Sequence, residues 1–223
     1  MDKFGKSQPV KRVEDVRFLT GEGRYVDDIS PDQALHAYFF RSPVAHGVIA
    51  SLDVADAREA EGVHAVLTID DLEAAGMDIS MVGAVLKNRD GTEGAKPLRP
   101  MLAKGKVRFV GEPVAVIIAD TMEQARDAAE LIMLDVDEVP AHMGLVRGGE
   151  ALHAEAPDNL AFDWGLGDED ATQKAFDTAA KTVSLDVGDN RIIVNSLEPR
   201  GCYAEWENGK LHVSNNGQGV WNH

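Results

Sequence analysis

The sequence predicts an α+β protein of two successive units, the second of them incomplete. Three observations predict it. Short strand-like and short helical runs alternate between residues 34 and 136; two apolar strand runs flank Gly111-Glu112 and lead into a capped amphipathic helix; and a hairpin dipeptide, Asn208-Gly209, joins two strand-like runs in a C-terminal stretch that has few apolar residues and a polar ending.

Residues 1–32 are polar and punctuated, with Gly21 and Gly23 flanking Glu22, so they read as an arm ending in a short hairpin or turn. The aromatic run 34–41, closed by Ser42-Pro43, reads as a largely buried strand. Residues 47–52 are β-like, and Asp53 can cap a short helix running through Ala60, with Ala57 and Ala60 on one face and Gly62 as its stop. The pattern repeats as a strand over 63–68 and a helix over 69–75 closed by Gly76. Residues 77–106 keep no steady period and contain Asn88-Arg89-Asp90-Gly91, Gly94, Pro97 and Pro100, which predicts a long loop serving function or contact.

Strands over 107–110 and 113–119 follow. Thr121-Met122-Glu123-Gln124 then opens a helix as a capping box, and Met122, Ala125, Ala129 and Ile132 give it one apolar face. A strand from residue 131 or 132 to 136 ends at Glu138-Val139-Pro140. Residues 141–158 are rich in Gly, Pro, His and acids and read as a linker. Beyond them come an extended stretch over 159–165, a helix over 168–180, and strands over 182–187, 201–207 and 210–214, the last two joined by Asn208-Gly209.

Composition removes several functions. With 38 Asp plus Glu against 22 Lys plus Arg, the net charge of −16 opposes binding to nucleic acid or to anionic membranes. The longest apolar run, 114–119, is far short of the roughly 20 residues of a membrane span, and no segment resembles a signal peptide, so the expected location is the cytoplasm. Cys202 is the sole cysteine; alone it can form no internal disulfide, four-thiolate zinc site or iron–sulfur cluster. Any redox centre therefore comes from elsewhere.

The common motifs fail one by one. Gly21-Glu22-Gly23 has Val26 where a dinucleotide fingerprint needs its third glycine, and it does not lie between a strand and a helix. Gly5-Lys6-Ser7 lacks the leading glycine of a phosphate loop, and there is no Gly-x-Ser-x-Gly elbow. The seven histidines never fall three or four residues apart, the spacing that puts two metal ligands on one helix face. Glu198-Pro199-Arg200-Gly201 forms a stiff polar corner, whose plain reading is an internal ion pair. Residues 215–218, Asn-Asn-Gly-Gln, form an amide-rich strand end that reads as a solvated loop. None of this identifies a reaction.

Five segments in order carry a resemblance. They are FLTGEGRYVDD from Phe18, LHAYFFRSPVAH from Leu35, VRFVGEPVAVIIA from Val107, LEPRG from Leu197, and the strand leading to Gln218. Together they resemble the N-terminal part of the molybdenum-binding large subunit of the carbon monoxide dehydrogenase, xanthine dehydrogenase and aldehyde oxidase family. The resemblance implies an arm plus α/β-hammerhead domain over 1–140, a linker over 141–158, and over 159–223 the truncated beginning of the first molybdenum-cofactor-binding α+β domain.

It also implies that the glycine-rich loop near the metal, the substrate-selecting loop and the general-base glutamate lie downstream of the matched part. One cofactor-contacting residue falls inside, Gln218, whose side-chain amide would donate toward the apical oxo ligand of molybdenum; a neutral donor orients such a group without adding a titratable charge. Its neighbours Gly217, Gly219, Val220 and Trp221 differ from those of other members.

The implied cofactor of the complete subunit is molybdopterin in its cytosine dinucleotide form, with FAD on a medium subunit and 2Fe-2S clusters on a small one. The implied partners are those two subunits, the remainder of the large subunit and a small-molecule substrate, with no nucleic acid and no membrane span. The complete enzyme would oxidise its substrate with oxygen from water, and this chain alone is expected to be inactive and to bind no cofactor. The rival expectation is a non-catalytic hammerhead module used for binding or assembly.

Overall fold

Residues 9, 11–81, 83, 85–190 and 192–217 are described by the computed structural model. Along the chain run α1 (Asp15–Leu19), β1 (His36–Arg41), β2 (Gly47–Asp53), α2 (Ala55–Arg58), β3 (Val63–Leu67), α3 (Ile69–Ala74), β4 (Ser80–Met81), β5 (Arg99–Pro100), β6 (Lys106–Val107), β7 (Pro113–Ala119), α4 (Met122–Glu130), β8 (Met133–Glu138), α5 (Glu169–Thr178), β9 (Cys202–Glu207) and β10 (Lys210–Asn215). Two units divide these elements: Leu35–Ser184, and Met1–Ala34 joined to Leu185–His223. Among the described residues no helix is long and apolar enough to cross a membrane.

The larger unit is organised by β7. Its apolar run lets it sit between two antiparallel neighbours, in the order β1-β7-β3, and Pro113 occupies its first position, where a missing donor costs least. Side chains alternate across the strand. Ala115, Ile117 and Ala119 pack with Val54, Ala57, Val66 and the α4 alanines Ala125, Ala128 and Ala129, whereas Val114 turns the other way to Ala103 and Val107. That second cluster lies against a sheet of order β6-β2-β8, with Ile49, Leu134 and Val136 partly buried on it.

Caps set the helices. Thr121 Oγ1 accepts the N–H of Gln124 at 3.2 Å to open α4, and Asp168 Oδ1 accepts that of Ala171 at 2.8 Å to open α5. At the start of α3 the Asp71 carboxylate reaches back to the N–H and hydroxyl of Thr68, both at 2.7 Å, and receives the Arg58 guanidinium.

In the smaller unit β9 and β10 form an antiparallel hairpin. Its turn has φ of 52° at Asn208 and 77° at Gly209, the left-handed pair of a type I′ connection, which a twisted two-residue hairpin requires.

Four expectations are corrected. The strand at 34–41 is half-buried rather than largely buried, because β1 is the outer strand of its sheet and only Tyr38 and Phe40 pack on the core. The loop at 77–106 contains the β4–β5 pair and a Lys87–Glu93 bridge. The strand at 107–110 shortens to β6, since residues 108–111 curl into a turn around the Glu112 carboxylate. The strand at 182–187 does not form, for no described strand offers it a ladder.

Candidate functional site

In the larger unit two of the quoted segments meet. The turn after β1 and the corner before β7 exchange backbone bonds, Ser42 N–H to Glu112 O at 2.9 Å and Gly111 N–H to Ser42 O at 2.8 Å, and the Arg41 guanidinium donates to Gly111 O at 2.9 Å. Gly111 has φ of 86°, the left-handed conformation that favours glycine. Glu112 is 6% exposed; its carboxylate accepts the N–H of Arg108 at 2.5 Å. Burial pushes the Glu112 carboxyl upward, opposed by the Arg108 N–H and guanidinium, the Phe109 N–H and His46. His46 is 1% exposed; its Nδ1 lies 3.3 Å from the Pro140 carbonyl oxygen, and its Nε2 is buried without a partner among the described residues. These contacts make the Arg-Ser-Pro-x-x-His and Gly-Glu-Pro segments a structural clamp.

The stretch after β8 is held in place over its second half. Lys106 and Arg108 donate to the carbonyls of Ala151 and Leu152, at 3.3 and 3.0 Å, and Asn159 binds Leu152 N–H, Gly148 O and Glu150 O with its side chain. His153 lies within this segment, and burial holds its imidazole below the usual value, helped by Arg108 and Lys106 against Glu155. Further on, Asp163 takes the Arg89 guanidinium in a two-bond pair, each bond 3.1 Å. The 77–106 loop is thereby a contact surface.

The third constellation lies in the smaller unit, where the Glu198-Pro199-Arg200-Gly201 corner faces the end of β10. Glu198 makes no ion pair with Arg200, contrary to expectation. Its Oε1 accepts the N–H of Val26 at 3.0 Å, a donor at the start of the helical turn Val26–Asp28 that has no acceptor within the turn.

Nor are the asparagines at the end of β10 merely solvated. Asn216 donates through Nδ2 to Pro199 O at 2.5 Å and accepts through Oδ1 from Gly201 N–H at 3.1 Å, while Asn215 Oδ1 accepts from Gly217 N–H at 2.8 Å. Sequence reasoning missed Asn216, yet the signal was there. A two-residue turn at 208–209 pairs 210 with 207, and counting outward sets 216 opposite 201.

Gln218 lies outside the described residues. Among those described, no group of three or more His, Cys, Asp and Glu side chains could hold a metal ion.

Comparisons with known proteins give a family for each of two stretches of the chain. Residues 20–140 match the model described as aldehyde oxidase and xanthine dehydrogenase, a/b hammerhead domain, and residues 152–223 match the molybdopterin cofactor-binding domain. The nicotine 6-hydroxylase large subunit of Paenarthrobacter nicotinovorans is 36% identical over 212 residues, covering 92% of this chain and 24% of that protein. The carbon monoxide dehydrogenase large chain of Hydrogenophaga pseudoflava is 34% identical over 213 residues, covering 87% of this chain and 25% of that one. The crystal structure of quinoline 2-oxidoreductase from Pseudomonas putida 86 superposes with a TM-score of 0.72 at 35% identity, over 94% of this chain and 26% of that one. This chain thus spans about a quarter of the length of the relatives it matches.

Proposed function

Because the chain belongs to the aldehyde oxidase and xanthine dehydrogenase family, with an α/β-hammerhead domain followed by the start of a molybdopterin-binding domain, we propose that it is the first part of the large subunit of a molybdenum hydroxylase of the carbon monoxide dehydrogenase or aldehyde oxidase type. The observation that carries this is the succession of the two family matches along a chain that covers a quarter of its relatives. We divide it into an arm and hammerhead over 1–140, a connection over 141–158 and the beginning of the cofactor domain over 159–223.

The molybdenum cofactor, in its cytosine dinucleotide form, supplies two-electron oxidation of the substrate with oxygen from water. The residue types after β10 suit such a group, since no acidic residue stands between Ser214 and His223 to repel an oxo ligand or a phosphate. Gln218 is the residue we assign to it, as a neutral hydrogen-bond donor. 2Fe-2S clusters and FAD on separate small and medium subunits would carry the electrons away; this stretch of chain, with exposed Cys202 as its one cysteine, cannot itself hold a cluster. The assembly works in the cytoplasm, and the chain by itself is inactive.

The test uses the complete enzyme at matched molybdenum content. Gln218→Ala removes one hydrogen bond to a charged acceptor, worth about 1.5 to 3 kcal/mol, and lowers turnover by about one to two powers of ten if that bond is stronger in the transition state. Gln218→Glu does at least as much damage, since a carboxylate repels the oxo group or must take up a proton. Wild-type turnover in both variants overturns the assignment.

A further inference from the structure

We propose that the free edge of β1 is a docking site for an extended acidic segment of another protein, which adds to the β1-β7-β3 sheet as a further strand.

β1 has β7 as its ladder partner on one side, and no described strand pairs with the other. In an antiparallel ladder every second residue of an outer strand turns its N–H and C=O away from its neighbour, so β1 holds a row of donors and acceptors outward. α4 lies against the same strand. Between them runs a groove, lined on the helix side by Arg126, Ala129 and Glu130 and on the strand side by residues 37–41.

The two faces of β1 differ along this edge. Tyr38 packs on the core beneath α4, with the Arg126 guanidinium 6.0 Å from its ring. Phe39 points to the opposite face and is exposed, and the Arg41 guanidinium stands 5.7 Å from its ring. A strand laid along the edge sends alternate side chains to these two faces. On the helix side they meet Tyr38, Ala129 and the stem of Arg126, which suit an apolar side chain. On the other side they meet Phe39 and Arg41.

Charge selects the occupant. Arg41 donates to an uncharged acceptor, Gly111 O, and Arg126 lies over an aromatic ring, so neither guanidinium is neutralised by these contacts. One acid, Glu130, lines the groove against the two, a positive balance in a chain whose net charge is −16. An acidic side chain beside Arg41 gains a partner there.

The test titrates the chain with a short synthetic peptide of alternating Val and Asp, capped at both ends. One control carries Lys for Asp, and another carries N-methyl groups on its backbone. The Asp peptide should bind and slow hydrogen exchange at alternate amides of residues 37–41, those that face outward. The overall charge acting alone favours the Lys peptide, so tighter binding of that control overturns the proposal. Equal binding of the N-methylated peptide overturns it too, because strand addition needs backbone bonds.

Phe39→Asp sets a negative charge on the outer face and should weaken the Asp peptide about tenfold. If that variant fails to fold, Arg41→Gln, which can still donate to Gly111 O, takes its place with about a threefold loss expected. Unchanged affinity in the folded variant overturns the proposal. So does protection at 37–41 that grows with protein concentration in the absence of peptide, which would make a second copy of this chain the occupant. No binding of the Asp peptide to the wild type would show that Arg41 and Arg126 guard the edge against pairing instead.

Discussion

Ser42 donates its backbone N–H to the carbonyl of Glu112 at 2.9 Å, across 70 residues of chain. With the return bond from Gly111 to Ser42 and the Arg41 guanidinium on Gly111 O, this closes the end of the sheet where β1 and β7 meet. The Glu112 carboxylate faces inward onto the Arg108 N–H and leaves no charge for a ligand. The residue of the Gly-Glu-Pro segment that could have been chemical is spent on holding a turn.

Glu112 should therefore be replaceable in chemistry but not in shape. Glu112→Ala removes the acceptor for a buried N–H and should cost about 1 to 3 kcal/mol of stability. Glu112→Gln keeps an acceptor and should cost less. The folded carboxyl titrates above its ordinary value, so in that window the folded state holds more protons than the unfolded state, and stability falls as pH rises from the ordinary carboxylate value through the raised one. Urea denaturation across that window should show the decline in the wild type and a flatter profile in Glu112→Gln. Equal slopes would refute this account of Glu112.

Asp71 shows the opposite sign. Burial works upward on it, but the Thr68 N–H and hydroxyl and the Arg58 guanidinium outweigh burial and hold the carboxyl below its ordinary value. Its contribution is present above the unfolded value and is lost as pH falls through the lowered one. Asp71→Asn should destabilise the fold by about 0.5 to 2 kcal/mol near neutrality, the range for a lost cap, toward the lower end because the group is partly exposed. Thermal melts at neutral and acid pH should converge for the two proteins, and a constant gap would count against the ion pair.

Much of this was legible in the sequence where local signals and burial agree. The 113–119 run became the central strand, Thr121 capped α4, and Asn208-Gly209 closed the hairpin, because each depends on its own residues or on a strongly apolar face. The misses share another cause. Residues 108–110 look like a strand, yet the Glu112 carboxylate captures the N–H groups of Arg108 and Phe109. Glu198 looks like a partner for Arg200, yet its acceptor is filled by Val26 N–H from 172 residues away. Residues 182–187 have the alternation of a strand but no ladder. Each miss was decided by a specific bond made or not made, which composition and spacing do not encode.

The pairing of Arg89 with Asp163 should govern local rather than global stability. Arg89 N–H also donates to Asp163 O at 2.8 Å, and Ala95 N–H to Ala161 O at 2.7 Å, so the 86–95 loop and residues 161–163 lie side by side. Because the ion pair is exposed and screened by salt, Arg89→Ala should leave the unfolding midpoint nearly unchanged. Amide exchange at residues 88–95 and 161–163 should rise, and in the wild type it should rise with added salt. A lowered midpoint without a local change in exchange would show that the pair supports the core instead.

The unpaired stretch around residue 185 should make the isolated chain associate with itself. Val183, Leu185 and Val187 alternate with polar residues, as a strand with one apolar face does, and are 84, 82 and 76% exposed; Ile193 nearby is 91% exposed. Backbone groups without a ladder beside exposed apolar side chains invite pairing with another chain. The charge of −16 opposes this by mutual repulsion, but repulsion is screened over about 8 to 10 Å at moderate salt, whereas apolar contact is not. Association should therefore grow with protein concentration and strengthen as salt is added, the reverse of what salt-bridged contacts would do. Leu185→Lys with Val187→Lys should abolish it without moving the unfolding midpoint, since neither side chain is buried. Sedimentation velocity at low and high salt reads the outcome directly, and a monomer at high protein concentration in high salt would mean that these residues cover one another in solution.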